Sequence, residues 1–506
     1  MSNSLNRRLR GKTIKIFGPP GTGKTENLLK RVQRYLRQGY SPDEICYVSF
    51  TNKAVNECVA RVRKRFKEYD EDDFKYFRTL HSLARQQFAE IPVLDPKADM
   101  LMFHTQYGTV KVNYKEGHDD QKVYNNWSLQ IYDRARNMKV DPVWLYKQQS
   151  RKAVRLQQFK SIINGYEEFK TMELENGQRT PDRLDFTDMV QRYITDGLVI
   201  PFKVLMVDEA QDLTPLQWDM IVKIAESVDR VYIAGDDDQA IYEWNGADVN
   251  LFQTFPGKSL VLKKSVRLNK NIHFFSSCIL HSMGSNRIEK EFYSNGKDGS
   301  IQRWNGLKKV PWDLDGSWMV LARINDVKRE LQQEAKNLGL YYQDQKNNKS
   351  FDPNQFMAIQ LWEKICEGGA ISREEACIMY EYLLNIDHGY RSQDSKKWSF
   401  AHPNQVFTFD ELHLRKEGVD LTQPPKIIID TIHQVKGGEA DNVVLASKCN
   451  FPSHYEKKNL AEKVKELRVW YTGVTRCKQN LHLLGTNHQY NFPLGKYFKL
   501  YEANYV

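Results

Sequence analysis

The run Gly18-Pro19-Pro20-Gly21-Thr22-Gly23-Lys24-Thr25 constrains this chain more than any other stretch. It follows a short β-branched segment, Thr13–Phe17, and opens a helical pattern over Lys24–Arg37. Strand, glycine-rich turn and helix in that order make a phosphate-binding loop. Glycines let backbone N–H groups turn inward, and the helix N-terminus adds partial positive charge. Lys24 is then placed against the β and γ phosphates, and the Thr25 hydroxyl can ligate magnesium. A glycine turn that only caps a helix would not need the preceding strand. The loop implies an α/β sheet that binds a nucleoside triphosphate, but many ATPases share it, so it does not name the reaction.

Two acidic motifs narrow the chemistry. Val204–Val207 reads as a buried strand that ends in Asp208-Glu209-Ala210-Gln211-Asp212. A carboxylate at a strand end can reach the metal held by Thr25, which makes Asp208 the magnesium ligand. Glu209 beside it would orient or deprotonate the attacking water. After a further strand pattern at Val231–Ala234 comes Gly235-Asp236-Asp237-Asp238-Gln239-Ala240-Ile241-Tyr242. Three successive aspartates at a strand end are costly unless a cation, a helix N-terminus or water meets them. Gln239 could reach the γ-phosphate or the attacking water. Trp244 could stack on a base, although taken by itself a tryptophan is more often a core residue.

The rest of the chain organises around these motifs. Short strand patterns alternate with helices, the signature of parallel α/β domains. At 506 residues the chain is too long for one core. The pattern predicts a first α/β core from 1–85 and 190–262, with a mainly helical insertion at 86–189. A second core is predicted from 263–344 and 424–506, with a shorter insertion at 345–423. The net charge of +10 fits a phosphate-rich partner without requiring one. Seven cysteines, with no metal-finger or redox spacing, suggest buried thiols in a reducing compartment. No apolar stretch approaches a membrane span, so a cytoplasmic protein with no membrane partner is expected.

Taken together, the motifs resemble those of the UvrD/Rep/PcrA group of superfamily-1 DNA helicases. Besides the loop and the two acidic runs, the chain has FTNKAV at Phe50–Val55, TLHS at Thr79–Ser82 and LDFTDM at Leu184–Met189. Later come TIHQVKGGE at Thr431–Glu439 and VWYTGVTR at Val469–Arg476. The resemblance covers about 13–485, apart from the two insertions. It implies two RecA-like domains with ATP and magnesium in their cleft, and 3′ to 5′ movement on single-stranded DNA. Arg267 and Arg476 would come from the second domain and touch the γ-phosphate, and Glu439 would meet the ribose. Phe50, Asn52, His81, Tyr242, Trp244 and His433 would line the strand track. Duplex junctions would be the substrate, replication or repair proteins the candidate partners, and a monomer the working form.

Several residues depart from the family pattern. Leu5-Asn6-Arg7-Arg8 replaces an upstream glutamine motif that reads adenine, and Val266 stands where a tyrosine usually packs on it. Relaxed choice among nucleoside triphosphates is the expectation. Gly438 replaces a larger apolar residue. The compact second insertion would suit a phage-encoded or accessory helicase, acting in the host cytoplasm if phage-encoded. Two other activities compete with strand separation. One is a translocase that displaces proteins from single strands; the other is a phosphate-loop ATPase acting on proteins. The second is disfavoured by the aspartate run followed by Trp244. A catalytically dead DNA-binding scaffold is disfavoured because every catalytic residue type is in place.

Overall fold

Parallel pairing of short buried strands decides where a ligand can sit in this chain. The computed structural model describes residues 3–49, 52–95, 99–100, 102–103, 126–173, 179–181, 183–198, 200, 202–351, 353–384, 423–450, 459–485 and 488–505. Its N-terminal strands are β1 (Thr13–Phe17), β2 (Ile45–Val48), β3 (Phe77–Arg78), a small hairpin β4–β5 (Thr171–Glu173 and Arg179–Pro181), β6 (Val204–Val207), β7 (Arg230–Gly235) and β8 (Lys258–Val261). Apart from the hairpin they form one six-stranded sheet in the order β3-β2-β6-β7-β1-β8. Every pair in it is parallel.

Such a sheet is covered on both faces, which is why Val204–Val207 is apolar throughout and wholly buried. Leu205 and Val207 pack to one face with Ile221 and Phe252. Val204 and Met206 turn to the other, against Leu28 and Val59. A helix at Asn3–Lys12 precedes the first strand. It buries Leu9 completely, and Lys12 Nζ donates to the carbonyls of Glu226 and Val228 at 3.1 and 2.6 Å.

The insertion carries helices Trp127–Met138, Pro142–Gln148 and Leu156–Phe169. It has apolar clusters of its own around Phe103, Tyr166 and Phe159. A buried charge cluster fixes it to the LDFTDM motif. Arg136 and Lys170 both reach Asp185 and Asp188, and Asp185 also caps the helix Phe186–Asp196.

The C-terminal strands are β9 (Ser300–Trp304), β10 (Trp318–Ala322), β11 (Tyr342–Gln343), β12 (Ile427–Thr431), β13 (Ala440–Ala446) and β14 (Cys477–Leu484). They form a second parallel sheet in the order β11-β12-β10-β13-β14-β9. The helix Leu460–Val474 lies on it, with Trp470 stacked on Phe492 at 4.5 Å. Helices Pro353–Cys366 and Arg373–Leu384 pack around Trp362 and Met379. The remainder of the expected second insertion, 385–422, falls outside the described residues.

The chain divides into two compact units, Met1–Arg267 with Gly284–Asn295, and Leu268–Met283 with Gly296–Val506. Lys263 to Arg267, expected in the second core, therefore belong to the first unit. Backbone pairing explains this: Ser265 N donates to Tyr293 O at 2.9 Å, and Tyr293 N to Lys263 O at 2.7 Å.

Candidate nucleotide site

The phosphate loop joins the carboxyl end of β1 to the helix Lys24–Arg37. Gly18 N is anchored on Gly235 O at 3.0 Å, which ties the loop to the end of β7. Thr22 closes a turn, its N and Oγ1 both donating to Pro19 O at 3.1 and 2.7 Å. Gly21 and Gly23 adopt φ of 70° and 80°, a region open mainly to glycine. A Cβ on Gly21 would also lie 2.4 Å from Arg267 Cβ. Lys24 Nζ turns back on its own loop and donates to Gly18 O at 3.0 Å.

Opposite the loop, β6 delivers Asp208. Thr25 Oγ1 donates to Asp208 Oδ2 at 2.7 Å, and Tyr47 OH, from β2, reaches the same oxygen at 3.1 Å. Burial raises the Asp208 pKa, and Glu209 adds to it, while Thr25 and Lys24 act in the opposite sense. A buried carboxyl held up in this way gains from a nearby cation, and the Thr25 hydroxyl offers a second oxygen ligand. The residues fit magnesium.

Glu209 has φ 53° and ψ 38°, the left-handed region that a glutamate rarely occupies. Gln211 holds its carboxylate, Nε2 donating to Glu209 Oε2 at 2.6 Å, while Gln211 Oε1 accepts from Asp236 N at 3.0 Å. One glutamine thus links the two acidic motifs. Gly235 leaves room for this bridge, since a Cβ there would stand 2.7 Å from Gln211 Oε1 and 2.9 Å from Phe252 Cζ, and one of them would have to shift. Nothing in the sequence pattern assigns a role to Gln211 or Tyr47, since it does not show which way a polar side chain turns.

The aspartate run after β7 does receive its cation, and that cation is a lysine. Lys290 Nζ, fully buried, lies 3.0 Å from Asp236 Oδ1 and 2.8 Å from Asp238 Oδ2, and also pairs with Asp237. Arg287 grips Asp238 through Nε and a terminal nitrogen at 2.8 and 2.6 Å. Burial pushes the Asp236 carboxyl up, but Lys290 and Lys24 outweigh it and hold the group below the usual range. Asp236–Asp238 is the one cluster of metal-ligating side chains found among the described residues, and an ammonium group fills its centre. Gln239 Nε2 donates to Asp236 Oδ2 at 2.6 Å. Lys24 therefore acts electrostatically on both Asp208 and Asp236, so the three expected motifs converge on the ends of adjacent strands β6, β7 and β1.

The other expected residues are placed as follows. Arg267, expected from the second domain, lies in the first unit beside Gly21, where Val266 N donates to Gly21 O at 2.9 Å. Val266 itself is 77% exposed. Arg476 is buried in the second unit, donating to the carbonyls of Thr472 and Gly438 at 3.0 and 3.1 Å. A Cβ on Gly438 would lie 2.9 Å from Met319 Cε, so the small residue fits a crowded turn. Glu439 is exposed, 4.0 Å from Lys478 Nζ. Asn52 starts the helix Asn52–Arg63 after β2, and His81 lies in the first turn of Leu80–Gln87 after β3, edge-on to Phe186. Tyr242 and Trp244 follow β7; Trp244 is 59% exposed and so is not a core residue. His433 occupies the turn after β12. Phe50 lies outside the described residues.

Comparison with known proteins agrees with this geometry. The UvrD/REP helicase N-terminal domain matches residues 4–259, and the UvrD-like helicase C-terminal domain matches 316–488. A probable DNA helicase II homologue of Rickettsia conorii is 26% identical over 67% of this chain and 52% of its own length. The ATP-dependent DNA helicase PcrA of Bacillus subtilis is 25% identical over 56% of the chain and 39% of its own. A probable DNA helicase of Mycoplasma pneumoniae is 22% identical over 97% of the chain and 84% of its own. The chain thus spans about half or less of several of the relatives it matches, such as DNA helicase II of Salmonella typhimurium at 40%. With a phosphate loop, a Thr25–Asp208 pair and Gln239 gathered at the strand ends of one sheet, and a family match over residues 4–259, the chain belongs to the UvrD/REP helicase family.

Proposed function

We propose that the chain is an ATP-dependent DNA helicase that moves 3′ to 5′ on single-stranded DNA and separates duplex at junctions. The observation that carries the reading is the convergence of Lys24, the Thr25–Asp208 pair, Glu209 and Gln239 at the strand ends of one sheet. Thr25 and Asp208 would hold magnesium, and the ion when bound would supply positive charge against the phosphates. Lys24 binds the β and γ phosphates, and Glu209 takes a proton from the attacking water that Gln239 orients. Arg267, beside Gly21 of the loop, stabilises transition-state charge, while the same role for Arg476 and a ribose contact for Glu439 are what the family resemblance implies. Trp244 stacks on a base, with Phe50, Asn52, His81, Tyr242 and His433 along the same strand. Val266, short and exposed, offers little contact to an adenine, which supports relaxed choice among nucleoside triphosphates. The test is nucleotide turnover with and without single-stranded DNA, followed by unwinding of forked duplexes carrying a 3′ or a 5′ tail. Stimulated turnover, unwinding from the 3′ tail and loss of both in Lys24→Ala are expected. Turnover indifferent to DNA would overturn the reading.

A further inference from the structure

Gln239 is held by the Asp236 carboxylate. Asp236 Oδ2 accepts its Nε2 at 2.6 Å, while Asp236 Oδ1 lies 3.0 Å from Lys290 Nζ. The lysine is thus one carboxyl group away from the side chain expected to orient water. It is fully buried, and so are all three aspartates it meets. Arg287 closes the cluster from Asp238, Ile288 N donates to Asp237 Oδ2 at 2.9 Å, and Gln253 Nε2 donates to that same oxygen at 2.9 Å. Both cations stand on Gly284–Asn295, a segment whose chain neighbours on either side belong to the second unit. It returns to the first unit where these charges are.

We propose that Lys290 and Arg287 are positioning residues for nucleotide hydrolysis: by neutralising the Asp236–Asp238 turn they fix the Asp236 carboxylate that orients Gln239. Three carboxylates packed together without a cation repel one another, and the turn opens or takes up protons. With the cations in place Asp236 stays ionised, its second oxygen captures the Gln239 amide nitrogen, and the Oε1 of Gln239 becomes the end that accepts a hydrogen bond from water. The clamp bears first on Gln239, which Asp236 contacts directly, whereas the loop meets β7 through the backbone carbonyl of Gly235 and not through an aspartate side chain.

This inference rests on the proposed hydrolysis, and the experiment separates the two. Turnover with single-stranded DNA is measured for the unsubstituted chain, Lys290→Met, Gln239→Ala and the double variant. Lys290→Met is expected to lower kcat about 10²-fold, the cost of a small misplacement, with KM for ATP nearly unchanged. The double variant should be no slower than the slower single one, since both remove the same oriented water. Hydrogen exchange at the amides of Asp236–Tyr242 should quicken in Lys290→Met while Gly18–Thr25 stays protected. Should Lys290→Met fail to fold, Arg287→Gln gives a smaller loss of the same kind, restored by adding Asp238→Asn. Losses that multiply in the double variant, or unchanged exchange at Asp236–Tyr242, would overturn the clamp. An unsubstituted chain without DNA-stimulated turnover defeats the helicase reading, and the exchange measurement then still judges the clamp.

Discussion

Glu209 is held in a backbone conformation that costs a non-glycine residue ~1–3 kcal/mol, and its carboxylate is aimed by Gln211. Strain of this kind persists only where the surroundings over-determine it, which here means the buried β6 end and the Gln211 bridge. Glu209→Gln keeps the shape and removes the carboxylate that we propose as the base. Turnover should fall below detection, with nucleotide and strand affinity within about threefold of the parent in equilibrium titration. Two histidines carry a second consequence. Burial lowers His81 and His482 to about 4, so both are neutral in the folded chain near pH 7. Between about 4 and 6.5 the unfolded chain binds more protons than the folded one, so stability is full above about 6.5 and is lost as pH falls toward 4. His482, whose Nδ1 accepts from Trp304 Nε1 at 3.0 Å and whose ring stacks on Trp318, should contribute on the order of 2 kcal/mol of that loss by about pH 5. Thermal melting at pH 7.5 and 5 checks this, with His482→Phe expected to flatten the difference.

At the scale of elements, what the sequence made legible follows from periodicity. The strand Thr13–Phe17 and the helix Lys24–Arg37 are found at their expected limits, because a buried run and an amphipathic helix both write long patterns. β3 and β11 span two residues each and leave no pattern to read. The helix Asn3–Lys12 is not legible in its basic sequence, since only the burial of Leu9 reveals its apolar side. The LDFTDM motif is legible by resemblance alone. Its work in the fold is a buried charge cluster, with Asp185 also capping a helix and accepting from Tyr166 at 3.0 Å. Arg136→Met would strand Asp185 and Asp188 beside Lys170 alone. A loss of about 3–5 kcal/mol is expected, read as a lower denaturation midpoint that Asp188→Asn partly restores.

For the whole molecule, a surplus of cations and an exposed Trp244 set the expected mode of strand binding. Phosphates held by lysines and arginines release counterions, so affinity for single-stranded DNA should fall steeply with salt, with a slope near −0.7 per phosphate contact. Trp244→Ala should lower affinity by ~1–3 kcal/mol at every salt without changing that slope, which fluorescence titration across a salt series would test. The sequence by itself determined the α/β class, the phosphate loop, the two acidic motifs and the family, because each is written in runs of neighbouring residues. Only the tertiary structure decided which partners complete the site. Tyr47, Gln211, Arg287 and Lys290 reach the acidic motifs from distant points of the chain, and Arg267 joins the first unit through backbone pairing with a later segment. Pairing across such separations leaves no local period, so the need for a cation beside three aspartates could be read in advance, but not which side chain would meet it.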